Sequence, residues 1–190
     1  MSESSIQTPS SPLDRRSFNI AAVVLGVGVL FGFTLLPKLA RPHNAMIGKP
    51  APEFTLPSIS PESQGDRLAL SSLRGKTVIL AFWASWCGPC RAEAPGLDHL
   101  SKRLADRNVV VLGVNTDDKM ENAQAFARSA GLSYPLLHDP NGEVGAAYGV
   151  SSLPTLFIID KEGKIAAVRS GLTDEGSLEE LALGAQQGNK

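Results

Sequence analysis

Cysteine, histidine and net charge are all scarce in this chain. Two cysteines in 190 residues cannot form the several bridges that hold small secreted scaffolds together. The three histidines, His43, His99 and His138, never fall at H-x3–5-H spacing, so beside a lone C-x-x-C they do not complete the four ligands of a zinc site. A formal net charge of -1 leaves no cationic footprint for DNA or RNA, and no nucleic acid is expected as a partner. Neither an internal repeat nor a long charged tail is visible.

What is present begins with an asymmetry. Residues 1–16 are rich in Ser, Pro and Thr and poor in apolar side chains, the composition of a disordered tail. From Phe18 to Leu36 the chain then reads "FNIAAVVLGVGVLFGFTLL" without a charge. As a helix this run is about 28 Å long, enough for the bilayer core, and Gly26, Gly28 and Gly32 would weaken a helix buried in a soluble core. A transmembrane segment is expected over 17–37. Cleavage after Ala40 or Ala45 would put Lys38 or His43 three residues before the cut, where a small residue is needed, so a retained signal-anchor is expected. Arg15 and Arg16 on one side nearly balance Lys38 and Arg41 on the other, and charge alone does not orient the anchor. "DRRSFN" also resembles a twin-arginine export signal. Residues 38–46 read as a linker and 47–190 as one globular domain.

Within that domain the strongest element is "TVILAFWA", Thr77 to Ala84, an almost unbroken apolar run suited to a strand buried on both faces. A helix from about Pro89, with Leu97, Leu100 and Leu104 inward, and a second buried strand "NVVVLGVN" complete a right-handed βαβ unit. A helix over Glu121 to Ala130, a short strand "YPLLHD", a hairpin "TLFIID"–"KEGK"–"IAAVRS" and a closing helix over Ser177 to Leu183 follow. The expectation is a mixed sheet with helices on both faces.

Both cysteines, Cys87 and Cys90, lie in "FWASWCGPCRAEAP", where the first strand gives way to its helix. Haem attachment requires C-x-x-C-H, and position 91 is arginine. An inert bridge would close only a tiny loop and constrain the unfolded chain little. A redox pair fits the position better. At a helix N-terminus, unpaired amides and the macrodipole favour Cys87 as thiolate, while Cys90, one turn on, is placed to resolve. Pro89 suits the first helical turn, where its missing N–H is not needed. Trp86 either shields the pair and offers a flat contact surface or packs as a core aromatic.

"FWASWCGPC", its helix and "LPT" at Leu153 to Thr155 resemble the thioredoxin superfamily from about Ile47 to Leu183. "IGKPAPEFTLPS", "CRAEAP", the segment between Thr116 and Tyr148 and the N-terminal anchor resemble, within it, the membrane-tethered ResA, TlpA and CcmG/DsbE group. The resemblance implies an α/β, thioredoxin-like mixed β-sheet behind one N-terminal transmembrane helix, and a protein-disulfide reductase on the extracytoplasmic side of the cell membrane. Its substrates would be disulfide-containing exported proteins, apocytochrome c among the candidates, and its electrons would come from a membrane donor of the thiol-disulfide type. It implies no cofactor and no metal. It also implies a cis peptide before Pro154, with Leu153, Pro154, Trp86, Gly88 and Pro89 meeting an extended substrate that adds as a strand.

Two departures bear on this reading. Cytosolic thioredoxins carry a buried Asp six residues before the first cysteine, and here that position is Ala81. The resemblance moves the proton-handling role to Glu93, which otherwise reads as a first-turn acid. The dipeptide of "CGPC" is that of reducing thioredoxins and differs from the Pro-rich versions common in CcmG. Two rivals stay open: a thiol peroxidase, because "GKPAPEF" also opens peroxiredoxins, although Leu80 and Ala84 replace their Pro and Thr; and a copper-handling chaperone using both sulfurs with Met46 or His138.

Overall fold

A computed structural model of the chain describes residues 43–59, 65–116 and 119–187. The expected tail, the expected anchor at 17–37 and most of the linker lie outside the described residues. Among the described ones, no helix is long and apolar enough to cross a membrane.

Among the described residues seven strands and four α-helices follow in order: β1 (Thr55–Pro57), β2 (Arg67–Ala69), β3 (Thr77–Trp83), α1 (Gly88–Leu104), β4 (Val109–Thr116), α2 (Met120–Ser129), β5 (Leu136–Asp139), α3 (Glu143–Ala147), β6 (Thr155–Ile159), β7 (Ile165–Ser170) and α4 (Glu175–Gln186). Five strands form one sheet in the order β5-β4-β3-β6-β7, and β1 and β2 form a separate antiparallel pair. β3 runs parallel to β4 and antiparallel to β6. As the central strand it is buried at all seven positions, which is why it carries no polar alternation. Its side chains still divide by period two: Ile79, Ala81 and Trp83 join one apolar cluster, and Val78, Leu80 and Phe82 the other.

Chain handedness sets the two faces. The path β3-α1-β4-α2-β5 steps twice in one direction across the sheet, and right-handed crossovers then place α1 and α2 on the same face. Their inward residues, Leu97, Leu100 and Leu104 from α1 and Ala123, Phe126 and Ala127 from α2, share one cluster with Leu178 and Ala182 of α4. In the connection from β5 to the antiparallel β6, α3 packs on the other face, where Val144 meets the cluster of Phe54, Tyr148 and Phe157. Polar ties fix α1. Asp98, buried on that helix, accepts from the Ser133 amide at 2.6 Å and the Ser133 hydroxyl at 2.8 Å, and pairs with Lys102 at 2.6 Å. Burial opposes the charge of Asp98, but these partners hold its carboxyl below the usual carboxylate range.

β2 and the five-residue α3 had no counterpart in the sequence pattern. The extended "EFTLPSI" shortens to β1, whose partner β2 has only three residues, too few for alternation to show. The remaining strands and helices fall where the apolar periodicity puts them, and the closing helix extends two residues earlier and three later than Ser177 to Leu183.

Candidate active site

The strand-to-helix junction after β3 carries the chemistry. β3 ends at Trp83 and α1 begins at Gly88, so the intervening residues emerge at the carboxyl edge of the parallel strands, where α/β sheets place their sites. Cys87 is the N-cap of α1, with extended backbone angles, and Pro89 lies within the first helical residues. Cys87 and Cys90 are joined as a disulfide, with Cα atoms 5.3 Å apart. The Cys90 amide points at Cys87 Sγ at 3.2 Å. That bond takes the place of a side-chain oxygen cap and puts a helix N–H on the sulfur that becomes a thiolate on reduction.

Both sulfurs sit low in the surface. Cys87 is 4% exposed and Cys90 3%, within the cluster that contains Ala81. The position of the thioredoxin aspartate therefore holds a methyl group, and no carboxylate reaches the pair from β3. Glu93 lies one turn beyond Cys90 on the same buried side of α1, and is itself 5% exposed. Its Oε1 accepts the Thr173 amide at 2.9 Å. Burial pushes this carboxyl up to about 7, and the Thr173 bond offsets only part of that rise. A carboxyl poised near neutrality one turn beyond Cys90 suits proton exchange at physiological pH. Thr173 carried no signal in the sequence, because it is 80 residues from Glu93 and contributes only its main chain.

Above the pair, Trp86 is 62% exposed; its indole is a surface group, not a core aromatic. Gly88 and Pro89 are exposed beside it. The Leu153–Pro154 peptide is cis. The Leu153 amide and carbonyl make no hydrogen bond to another described residue, whereas the Pro154 carbonyl accepts from Gly171 at 2.8 Å. Trp86 and Leu153 line one open cleft of about 240 Å³, which brings the two sequence-distant parts of the expected substrate surface together. A stack absent from the sequence reading supports the junction from behind: Arg91 lies over the Phe126 ring at 4.7 Å and donates to the Ser85 carbonyl at 3.3 Å, and Phe126 contacts Trp83 with ring centres 5.5 Å apart.

Met46 packs against the cluster on the sheet face opposite the disulfide, and among the described residues no group of three or more His, Cys, Asp and Glu is arranged to hold a metal ion. At the positions of the peroxidase Pro and Thr, Leu80 and Ala84 are fully buried and apolar.

Known proteins resemble this arrangement. Residues 47–168 match the AhpC/TSA family. The chain is 36% identical over 141 residues to the thiol-disulfide oxidoreductase ResA of Geobacillus thermodenitrificans, covering 74% of this chain and 79% of that one. To ResA of Bacillus subtilis it is 33% identical over 165 residues, covering 86% and 90%. Among solved structures, a candidate thiol:disulfide interchange protein DsbE from Chlorobium tepidum superposes with a TM-score of 0.67 at 34% identity, over 73% of this chain and 96% of that one.

Proposed function

The chain belongs to the AhpC/TSA family and is a thiol-disulfide oxidoreductase of the ResA and DsbE type; from that premise we propose that it is a membrane-tethered, extracytoplasmic reductase of disulfides in exported proteins, apocytochrome c among the candidates. The observation that carries the chemistry is the helix-capping Cys87 sulfur under the Cys90 amide, with a buried carboxyl near neutrality one turn further on. The uncharged run at 17–37 supports the tether, and a disulfide-permissive compartment supports the outer side. "CGPC", with its resemblance to reducing thioredoxins, supports the direction.

In the reduced protein the Cys87 thiolate attacks one sulfur of a substrate disulfide, and the other substrate sulfur leaves as thiolate. Cys87 is then bonded to the substrate. Glu93, as carboxylate, takes the proton of Cys90; the Cys90 thiolate attacks Cys87 Sγ, the enzyme disulfide closes and the second substrate sulfur departs. Two electrons pass to the substrate, and a membrane donor of the thiol-disulfide type must return them. Trp86, Gly88, Pro89 and the Leu153–Pro154 backbone supply the contact surface, with the unpaired Leu153 main chain placed to accept an extended segment as an added strand.

The test is capture. Full-length Cys90→Ser, expressed in cells, is expected to accumulate mixed disulfides with exported proteins, and Cys87→Ser to accumulate none. Trapping by Cys87→Ser instead would reverse the two roles, and trapped partners confined to the cytoplasm would overturn the assigned side.

A further inference from the structure

We propose that the cleft between Trp86 and Leu153 is a specificity subsite: it reads a substrate residue flanking the reactive cysteine and selects a neutral hydrogen-bonding side chain there, through the hydroxyl of Thr116. This rests on the oxidoreductase reading and extends it to the choice of substrate. Thr116 ends β4 as the cysteine motif follows β3, and β3 and β4 are parallel neighbours with Trp83 opposite Asn115. Both strands therefore end at the same edge of the sheet.

Trp86, Val150 and Leu153 give the cleft apolar walls, the exposed Ser151 and Ser152 line its rim, and Thr116 lines it as well. Thr116 is 7% exposed, and its hydroxyl has no partner among the described residues. The hydroxyl opens onto the cleft and is not among the fully buried unpartnered atoms, so a substrate group that covers it without bonding strips its hydration, whereas one that bonds to it replaces that hydration. Two glycines keep it reachable: a Cβ at Gly145 would stand 3.3 Å from Thr116 Oγ1, and one at Gly142 3.6 Å away. Behind the hydroxyl, the Asp139 carboxylate accepts the Gly145 amide at 2.9 Å and would lie 3.7 Å from that same Cβ. The Asp139 carboxylate is buried behind the glycine wall and does not line the cleft, so it disfavours an acidic substrate side chain only from a distance, whereas an amide or hydroxyl side chain can pack its stem on Trp86 and bond with its tip. Discrimination by a site built to hydrogen-bond is strong against analogues that lack the group.

The test uses full-length, dithiothreitol-reduced protein in detergent, with disulfide peptides that carry Gln, Leu or Glu in turn at the two positions on each side of the reactive cysteine. At one of these positions the wild type is expected to prefer Gln over Leu by about fivefold in kcat/KM, the size of one net hydrogen bond, and to reject Glu further. Thr116→Val is expected to erase the Gln preference, Thr116→Ser to keep it, and both to reduce hydroxyethyl disulfide within twofold of wild type. An unchanged peptide ranking in Thr116→Val, or an equal loss towards hydroxyethyl disulfide, would overturn the subsite. Wild-type protein unable to reduce hydroxyethyl disulfide at all would instead overturn the oxidoreductase reading beneath it.

Discussion

The main-chain N–H of Thr173 meets Glu93 Oε1 at 2.9 Å, tying the turn ahead of α4 to the active-site helix through a carboxyl that burial keeps near neutrality. Two opposed effects meet in that contact. The hydrogen bond favours the charged carboxylate, and the apolar surroundings favour the protonated acid more strongly. The protein thus holds a base where its fold would be more stable without a charge.

A pH dependence of stability follows. The Glu93 carboxyl binds its proton up to about pH 7 in the folded chain, against 4.5 for a solvent-exposed glutamate. Between these values the folded state holds more protons than the unfolded state, so stability falls as pH rises through that window and levels off above it. The loss is on the order of 3 kcal/mol. Urea denaturation of wild type and Glu93→Gln between pH 4.5 and 8 measures it: the wild type is expected to weaken relative to the variant, and parallel profiles would contradict the buried acid.

Gly113 makes a prediction about the fold behind the site. On β4, opposite Ala81 of β3, a Cβ at this glycine would lie 2.6 Å from Leu136 Cδ2 and 3.0 Å from Trp83 Nε1. Gly113→Ala therefore overpacks the cluster beneath the junction and is expected to lower stability by about 1–3 kcal/mol. Thermal or urea unfolding checks this, and a variant as stable as wild type would show that the cluster has slack.

Trp86 is expected to behave in the opposite way. With most of its indole in solvent, Trp86→Ala should change stability by no more than about 0.5 kcal/mol. As the exposed aromatic beside the sulfurs it is placed to anchor a protein substrate, so kcat/KM for a protein disulfide is expected to fall about tenfold or more, with hydroxyethyl disulfide much less affected. Equal losses for both substrates would make Trp86 a support for the cysteines and not a contact surface.

Much of the architecture could be read from the sequence because its signals are local. Val78 to Trp83 is apolar throughout because both faces of a central strand are covered, and Leu97, Leu100 and Leu104 repeat at helical spacing because one face of α1 is buried. The cysteine pair and its strand-to-helix setting are contiguous, so the redox chemistry was legible too. β2 escaped because three residues carry no period. Thr173 escaped because a main-chain amide has no residue-type signature, and Thr116 because its importance depends on two glycines that reach it only through the turn after β5. The sequence does not say which way the Trp86 indole faces; its exposure settles that.

The direct test of the account is the resolution step in Glu93→Gln. Stopped-flow measurement separates attack on a substrate disulfide from release of the mixed disulfide. Attack depends on the Cys87 thiolate at the helix terminus and is expected to stay within a fewfold of wild type. Release needs the proton of Cys90 removed and is expected to slow by roughly 10²-fold, the lower end for lost general catalysis, with the wild-type rate rising through about pH 7 and the variant flat across the same range. Release in Glu93→Gln at the wild-type rate and with the wild-type pH profile would contradict the account and leave water as the proton acceptor.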